Sequence, residues 1–171
     1  MNYYSSLIIR ILLAVVIPIQ LFYFVFKPIT IGLSEAVFRI IGYSTSVVGD
    51  YILVNNKLFE FVPACIAASA YYLLILLILF TKDINFILGF KLFISGAALL
   101  LGMNILRIFI LVLVLIKYGV NYFEAVHLFF WTFIASVFVV LVWIFLIKWY
   151  GIKSIPVYSD VKYFIKLSRS R

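Results

Sequence analysis

Four apolar stretches, roughly 6–26, 62–81, 85–117 and 122–149, are each long enough to cross a bilayer as a helix, and they leave this chain little choice of fold. A crossing needs about 20 predominantly apolar residues to span a hydrocarbon core ~30 Å thick. Inside that core only helices and closed barrels satisfy their own backbone groups. The expectation is an all-α membrane protein of about four transmembrane helices, a single integral domain over 1–171 with a basic cytoplasmic tail at 151–171. With 67% hydrophobic and 12% charged residues and a mean hydropathy of +1.26, the chain lies outside the range of soluble domains.

Charge sets the orientation. Arg10, Lys82, Lys91, Lys148, Lys153, Lys162, Lys166, Arg169 and Arg171 fall on one side of the four spans, opposed by Asp83 and Asp160. The other side carries Lys27, Arg39, Lys57, Arg107 and Lys117 against Glu35, Asp50, Glu60 and Glu124. The positive-inside tendency then puts both termini in the cytoplasm of a multi-pass cell-membrane protein. The first stretch is too long for a signal-peptide core and lacks a small-residue cleavage pattern, so it reads as an uncleaved helix that starts inside. The net charge of +8 is concentrated at the cytoplasmic ends, which favours anionic lipid headgroups over nucleic acid as its partner.

The long segment between the first two spans, residues 27–61, opens on Lys27-Pro28, expected to end the first helix. Leu33, Val37, Ile40 and Ile41 then recur at helical spacing, with Glu35 and Arg39 paired at i,i+4, predicting a short amphipathic helix in the outer interface that stops at Gly42. Tyr51-Ile52-Leu53-Val54 and Lys57-Leu58-Phe59-Glu60-Phe61 flank Asn55-Asn56, which suggests a β-hairpin on the outer face.

Three ionisable residues stand where lipid disfavours them, and an intramembrane ionisable residue is by default a functional hypothesis. The chain's sole cysteine, Cys65, follows Pro63, a residue suited to the first helical position, so it falls in the first turn of the second span, a setting that favours nucleophilic sulfur. One cysteine makes no intramolecular disulfide, which leaves a free thiol on the external side. Residues 85–117 would measure about 50 Å as one helix, with Gly102 a plausible break. Arg107 comes out near the outer boundary, sharing a face with Asn104. The sole histidine, His127, lies about one and a half turns into the last span, after Asn121 and Glu124 in a capping-box pattern. All three arrive at the same external end of their helices. Each also has a plain reading: a small buried hydrophobe for Cys65, helix packing for His127, and snorkelling to headgroups for Arg107. One Cys and one His without a paired carboxylate fall short of a zinc set, so neither metal nor cofactor is expected.

The order Ala64-Cys65 at a helix start, then Asn104-Ile105-Leu106-Arg107-Ile108, then His127 opening the last span resembles the exosortase/archaeosortase family of membrane transpeptidases, closest to its archaeal branch and in a minimal form. The likeness covers roughly residues 50–135. Many members carry Gly two residues after the cysteine, where this chain has Ala67, and many have additional spans. The resemblance implies an enzyme that recognises C-terminal sorting signals made of a short motif, a hydrophobic helix and a basic cluster. It cleaves near the motif through a thioacyl intermediate and passes the protein to an acceptor, a membrane lipid being the one implied. Cys65 would be the nucleophile, His127 the acid/base and Arg107 the oxyanion or substrate-orienting group, with Asn104 in support. Tyr51 and Glu124 are further candidates for binding or support, and the 27–61 segment would cover the site and bind the substrate motif at the 51–61 hairpin edge.

Two other classes compete. A protease that releases its product to water shares the acyl-enzyme step and differs only in the acceptor. A non-enzymatic assembly or transport subunit would use Cys65 for packing and the small residues Ser95-Gly96-Ala97-Ala98 against a neighbouring helix.

Overall fold

A computed structural model describes residues 3–82, 84–130, 135–152, 154 and 156. The order is α1 (Tyr3–Val16), α2 (Ile19–Ile40), β1 (Thr45–Val48), β2 (Tyr51–Val54), β3 (Lys57–Glu60), α3 (Pro63–Ile66), α4 (Ala68–Leu79), α5 (Phe86–Tyr118), α6 (Val120–Phe129) and α7 (Ala135–Trp149). The chain is mostly helical with one three-stranded antiparallel sheet. Two helices, α2 and α5, are long and apolar enough to cross a membrane, while α4 and the apolar parts of α1 and α7 are shorter.

The first helix does not end at Lys27-Pro28. It breaks ten residues earlier, where Pro18 is extended at φ −80° and ψ 144°. Helix α2 runs on through Pro28, burying Phe22, Phe26, Thr30, Ile31, Ser34 and Phe38 along one side. Packing that continues on both sides of Pro28 offsets the hydrogen bond it cannot make. The expected amphipathic helix is thus the second half of α2, with Leu33, Ile40 and Ile41 exposed on the outside of the chain, Ile40 by 83%. The Glu35–Arg39 pair does form, and α2 stops at Gly42, whose φ of 94° is left-handed.

The hairpin forms as β2 and β3 in the register Tyr51↔Glu60 to Val54↔Lys57. Asn55 and Asn56 both take positive φ, 46° and 65°, the signature of the primed turn that matches strand twist. The sequence reading lacked β1, which pairs along the other edge of β2 from Thr45↔Val54 to Val48↔Tyr51. That edge is therefore occupied, and among the described residues only β3 and β1 carry open edges. Lys27 Nζ reaches Asp50 Oδ1 at 2.6 Å and ties the β1–β2 turn to α2.

Helix α5 is the central element, continuous over 33 residues with no break at Gly102. It buries Leu92, Gly96, Ala97, Leu100, Asn104, Arg107, Ile108, Leu111 and Val112, a helical stripe facing α2, α4 and α7. At Gly96 the neighbours come close: a Cβ there would lie 2.7 Å from Leu74 Cδ2 and 2.9 Å from Leu146 Cδ1. Within the Ser95–Ala98 cluster it is Gly96 that seats α4 and α7 inside one chain, while Ala98 is exposed. Against α4, Arg10 donates to the carbonyl of Thr81 at 3.3 Å and Tyr72 to that of Ala14 at 2.9 Å, which holds α1 in place.

The described residues of the 122–149 stretch belong to α6 and α7, and residues 131–134 lie outside the described set. Helix α6 starts at Val120 with Gly119 as cap and no side-chain cap bond, and Glu124 is exposed. The capping box does not form because the chain enters the helix one residue before Asn121. Most of the 151–171 tail lies outside the described residues.

Replacing Gly96 by Val should destabilise the folded protein by about 1–3 kcal/mol through overpacking. Gly102→Ala, which meets nothing within 4 Å, should leave stability unchanged or raise it by up to about 1 kcal/mol. Thermal unfolding in detergent measures both.

Candidate active site

The site begins with a helix that fails to continue. Val62 is extended at ψ 160°, as a residue before proline prefers, and Pro63 opens α3 at its first position. One turn later Ala67 turns left-handed, φ 56° and ψ 34°, and α4 starts afresh at Ala68. The 62–81 stretch is therefore two helices with a kink between them. Non-glycine residues pay roughly 1–2 kcal/mol for this conformation, so the surrounding structure must hold it.

Two side chains of α5 do so. A terminated helix leaves its last carbonyls without amide partners. Asn104 Nδ2 donates to the carbonyl oxygen of Cys65 at 2.8 Å, and Arg107 Nη2 donates to that of Ala64 at 2.8 Å. Their i,i+3 spacing puts both on one face of α5, and both are buried, Arg107 to 6% exposure. Buried polar groups must be paired to avoid a large desolvation cost. The kink and the two side chains satisfy one another.

Cys65 is 1% exposed and unbridged. Its amide donates to Val62 O at 2.8 Å, so it is not an orphan donor at the head of a long helix, and α3 is only four residues long. The expected setting, the first turn of a full span, is replaced by an electrostatic one. The Arg107 guanidinium acts on Cys65 and His127, and Glu60 at the end of β3 also acts on Cys65.

His127 approaches from α6, which packs on α5. Its ring lies 5.6 Å from that of Phe123, and its Nε2 is buried without a hydrogen-bond partner. Among the described residues no hydrogen bond joins His127 to Cys65. Both lie within the field of the Arg107 charge. Catalytic hydrogen bonds are often long in unliganded enzymes and tighten when substrate binds.

Tyr51 and Glu124 are not drawn in. Tyr51 is exposed on β2 opposite Val48 and Glu60, Glu124 is exposed on α6, and no hydrogen bond ties either to the other three among the described residues. Sequence reasoning passed over Glu60 and Tyr71. Tyr71 is fully buried with its ring 3.6 Å from that of Phe26 and parallel to it, its hydroxyl is unpartnered, and it too is within the field of Arg107. A hydroxyl inside an apolar helix was the available signal for Tyr71. For Glu60 the signal was its place at the end of β3, just ahead of α3 and Cys65 in the chain.

A groove of about 630 Å³ lies between α2 and the α3–α4 kink, walled by Tyr23, Phe24, Ala64, Ala67 and Ala68 and reaching Arg107. A small cavity of about 40 Å³ adjoins it, with Asn104, Arg107, Ala67 and Phe138 in its lining. The small side chains of the kink open the groove onto the backbone that flanks Cys65. No family model, curated protein or solved structure matches the chain.

Ala67→Gly should raise stability by about 1 kcal/mol by relaxing the left-handed position, with the site intact. Asn104→Leu should lower it by about 1–3 kcal/mol by stranding the Cys65 carbonyl. Unfolding midpoints of the two variants in detergent test these opposite signs.

Proposed function

We propose that this chain is a membrane-embedded cysteine transpeptidase that cleaves C-terminal sorting signals at the outer membrane face and transfers the protein to an acceptor, a membrane lipid. The observation that carries the reading is the convergence of the only cysteine, the only histidine and a buried arginine: Arg107 acts on both Cys65 and His127 while holding the Ala64 carbonyl beside the cysteine. In this reading Cys65 attacks the substrate carbonyl, His127 moves the proton from thiol to leaving amine, and Arg107 with Asn104 fixes the nucleophile's backbone. The left-handed Ala67 supports the resemblance to the exosortase/archaeosortase family, since it is the position where many members carry glycine.

Four crossings with cytoplasmic termini complete the proposal: α1 with the first part of α2, then α4, α5 and α6–α7. Exposed apolar side chains support it, among them Val15, Phe24, Phe86 and Val137, set against buried Thr30, Ser34, Asn104 and Arg107. Such a surface suits lipid, not water. Arg10 lies at the Thr81 end of α4, opposite the Cys65 end, in keeping with basic residues inside and the site outside. A substrate whose own C-terminal helix is embedded would present its scissile bond at that outer depth, with the groove between α2 and the kink as its approach.

One observation favours a second reading, a non-enzymatic subunit in which Cys65 packs: the residue is almost fully enclosed. Cys65→Ala separates the two. In the host membrane a transpeptidase loses turnover by on the order of 10³-fold or more, and proteins ending in a hydrophobic helix and basic cluster accumulate uncleaved, as read by mass spectrometry of C-terminal peptides. Unchanged C-termini with normal expression of the variant would make Cys65 a packing residue.

A further inference from the structure

A separate cavity lies at the Thr81 end of α4, away from Cys65. It encloses about 340 Å³ between α1, α4 and the start of α5, within the size range of small-ligand sites. None of Cys65, Asn104, Arg107 and His127 lines it. Apart from Arg10 and Asn85, every side chain in its wall is apolar, among them Leu13, Ile17, Ile75, Ile78, Phe90 and Phe93. Ile78 is buried on its inner side, whereas Leu13, Phe86 and Phe90 are exposed at its rim.

The two polar residues stand at one end. Arg10 Nη1 donates to the carbonyl of Thr81, just past the end of α4, and Asn85 caps α5, its Oδ1 accepting from the Leu88 amide at 2.8 Å. From that end the wall runs along all three helices, from Arg10 to Ile17, from Leu79 to Ile75 and from Phe86 to Phe93. Seven residues of helix rise about 10 Å, so the cavity is a slot of roughly that length with a polar mouth and an apolar interior.

Arg10 itself is flanked by Leu7-Ile8-Ile9 and Ile11-Leu12-Leu13, a costly place for a cation without a counter-ion. Its hydrogen bond among the described residues goes to a neutral carbonyl at 3.3 Å, and no acidic residue lines the cavity. Asp83, two residues beyond Thr81, lies outside the described residues. A guanidinium has five N–H donors, and an asparagine whose oxygen is taken still has its amide N–H groups. The matching ligand has an anionic, accepting head and an apolar tail. For a chain with so apolar an outer surface the source of such a ligand is the bilayer, where basic pockets between helices hold anionic headgroups.

We propose that this cavity binds one anionic phospholipid, with its phosphate at Arg10 and Asn85 and an acyl chain in the slot between α1, α4 and α5. The site rests on the membrane placement proposed above and is independent of the acyl-transfer reading. The lipid neutralises Arg10 and joins α1, which α4 holds through the Arg10 and Tyr72 bonds, to the start of α5.

The test uses the full chain purified in neutral detergent, with dioleoyl phosphatidylglycerol and dioleoyl phosphatidylcholine as probes, and reads bound lipid by native mass spectrometry. Wild type should bind one phosphatidylglycerol about tenfold more tightly than phosphatidylcholine, as a charge-assisted hydrogen bond allows. Arg10→Lys should keep that preference and Arg10→Gln should lose it. Gly89→Leu, whose Cβ would stand 3.4 Å from the Cγ2 atoms of Ile78 and Ile84 on the slot wall, should fill the slot and abolish tight binding with Arg10 in place. Cys65→Ala should bind as wild type does. Equal affinity of wild type for the two lipids overturns the proposal, as does an unchanged preference in Arg10→Gln or full binding in Gly89→Leu. Displacement of the lipid by an equal concentration of glycerol phosphate overturns it too, leaving a site for the phosphate alone. A chain that stays in solution without detergent or membrane removes the membrane placement itself.

Discussion

Two hydrogen bonds from one helix to the broken end of another are the constraint on which the rest of the site depends. Ala67 turns the chain left-handed after a single turn of α3, and the carbonyls of Ala64 and Cys65 are taken up by Arg107 and Asn104 of α5. In an apolar interior an unpaired carbonyl and an unpaired guanidinium are each costly. Meeting, they fix the depth of Cys65 against α5 and hold the kink open where the groove runs past it. A straight helix over 62–81 would have closed its own carbonyls and left Arg107 without a reason to be buried.

The same economy explains the crossing at Gly96. Leu74 of α4 and Leu146 of α7 both lie against Gly96 of α5, where there is no side chain to hold them off, about two turns before Asn104. Close helix contact at a small residue gives van der Waals packing where no hydrophobic drive distinguishes lipid from leucine. Contact there and polar bonding above set α4 on α5 at two heights. Arg10 and the Tyr72 hydroxyl attach α1 to α4 and the turn that follows it.

Much of the site was legible because intramembrane polarity is rare. Cys65, Asn104, Arg107 and His127 stood out from an apolar background, and the structure sets the first three against one another and His127 within the field of Arg107. Tyr51 and Glu124 were chosen by nearness in sequence to a hairpin and to a histidine, and both face outward. The Asn55-Asn56 turn was readable from local backbone preference, and β1, though short, pairs with β2 through an equally local turn at Gly49-Asp50, with Gly49 at φ 60°. The α2 stripe of Leu33, Ile40 and Ile41 lies on the outside of the chain, as an interfacial helix requires, and the interior side is set by Phe38 and its neighbours. Here the hydroxyls of Thr30 and Ser34 are inside and Ile40 is out.

The sequence by itself determined the helical, apolar character of the chain, its tight Asn-Asn turn and the singular polar residues Cys65, Asn104 and Arg107 of its apolar stretches, since these follow from composition, local φ preference and the cost of polar groups in an apolar setting. Only the tertiary structure decided that the helix bearing Cys65 breaks at Ala67, that Pro28 is carried through α2 while Pro18 is not, and that Tyr71 comes within the field of Arg107. Those outcomes turn on contacts between segments far apart in the chain, where a hydrogen bond from α5 outweighs a local backbone preference, and no window of neighbouring residues contains both partners.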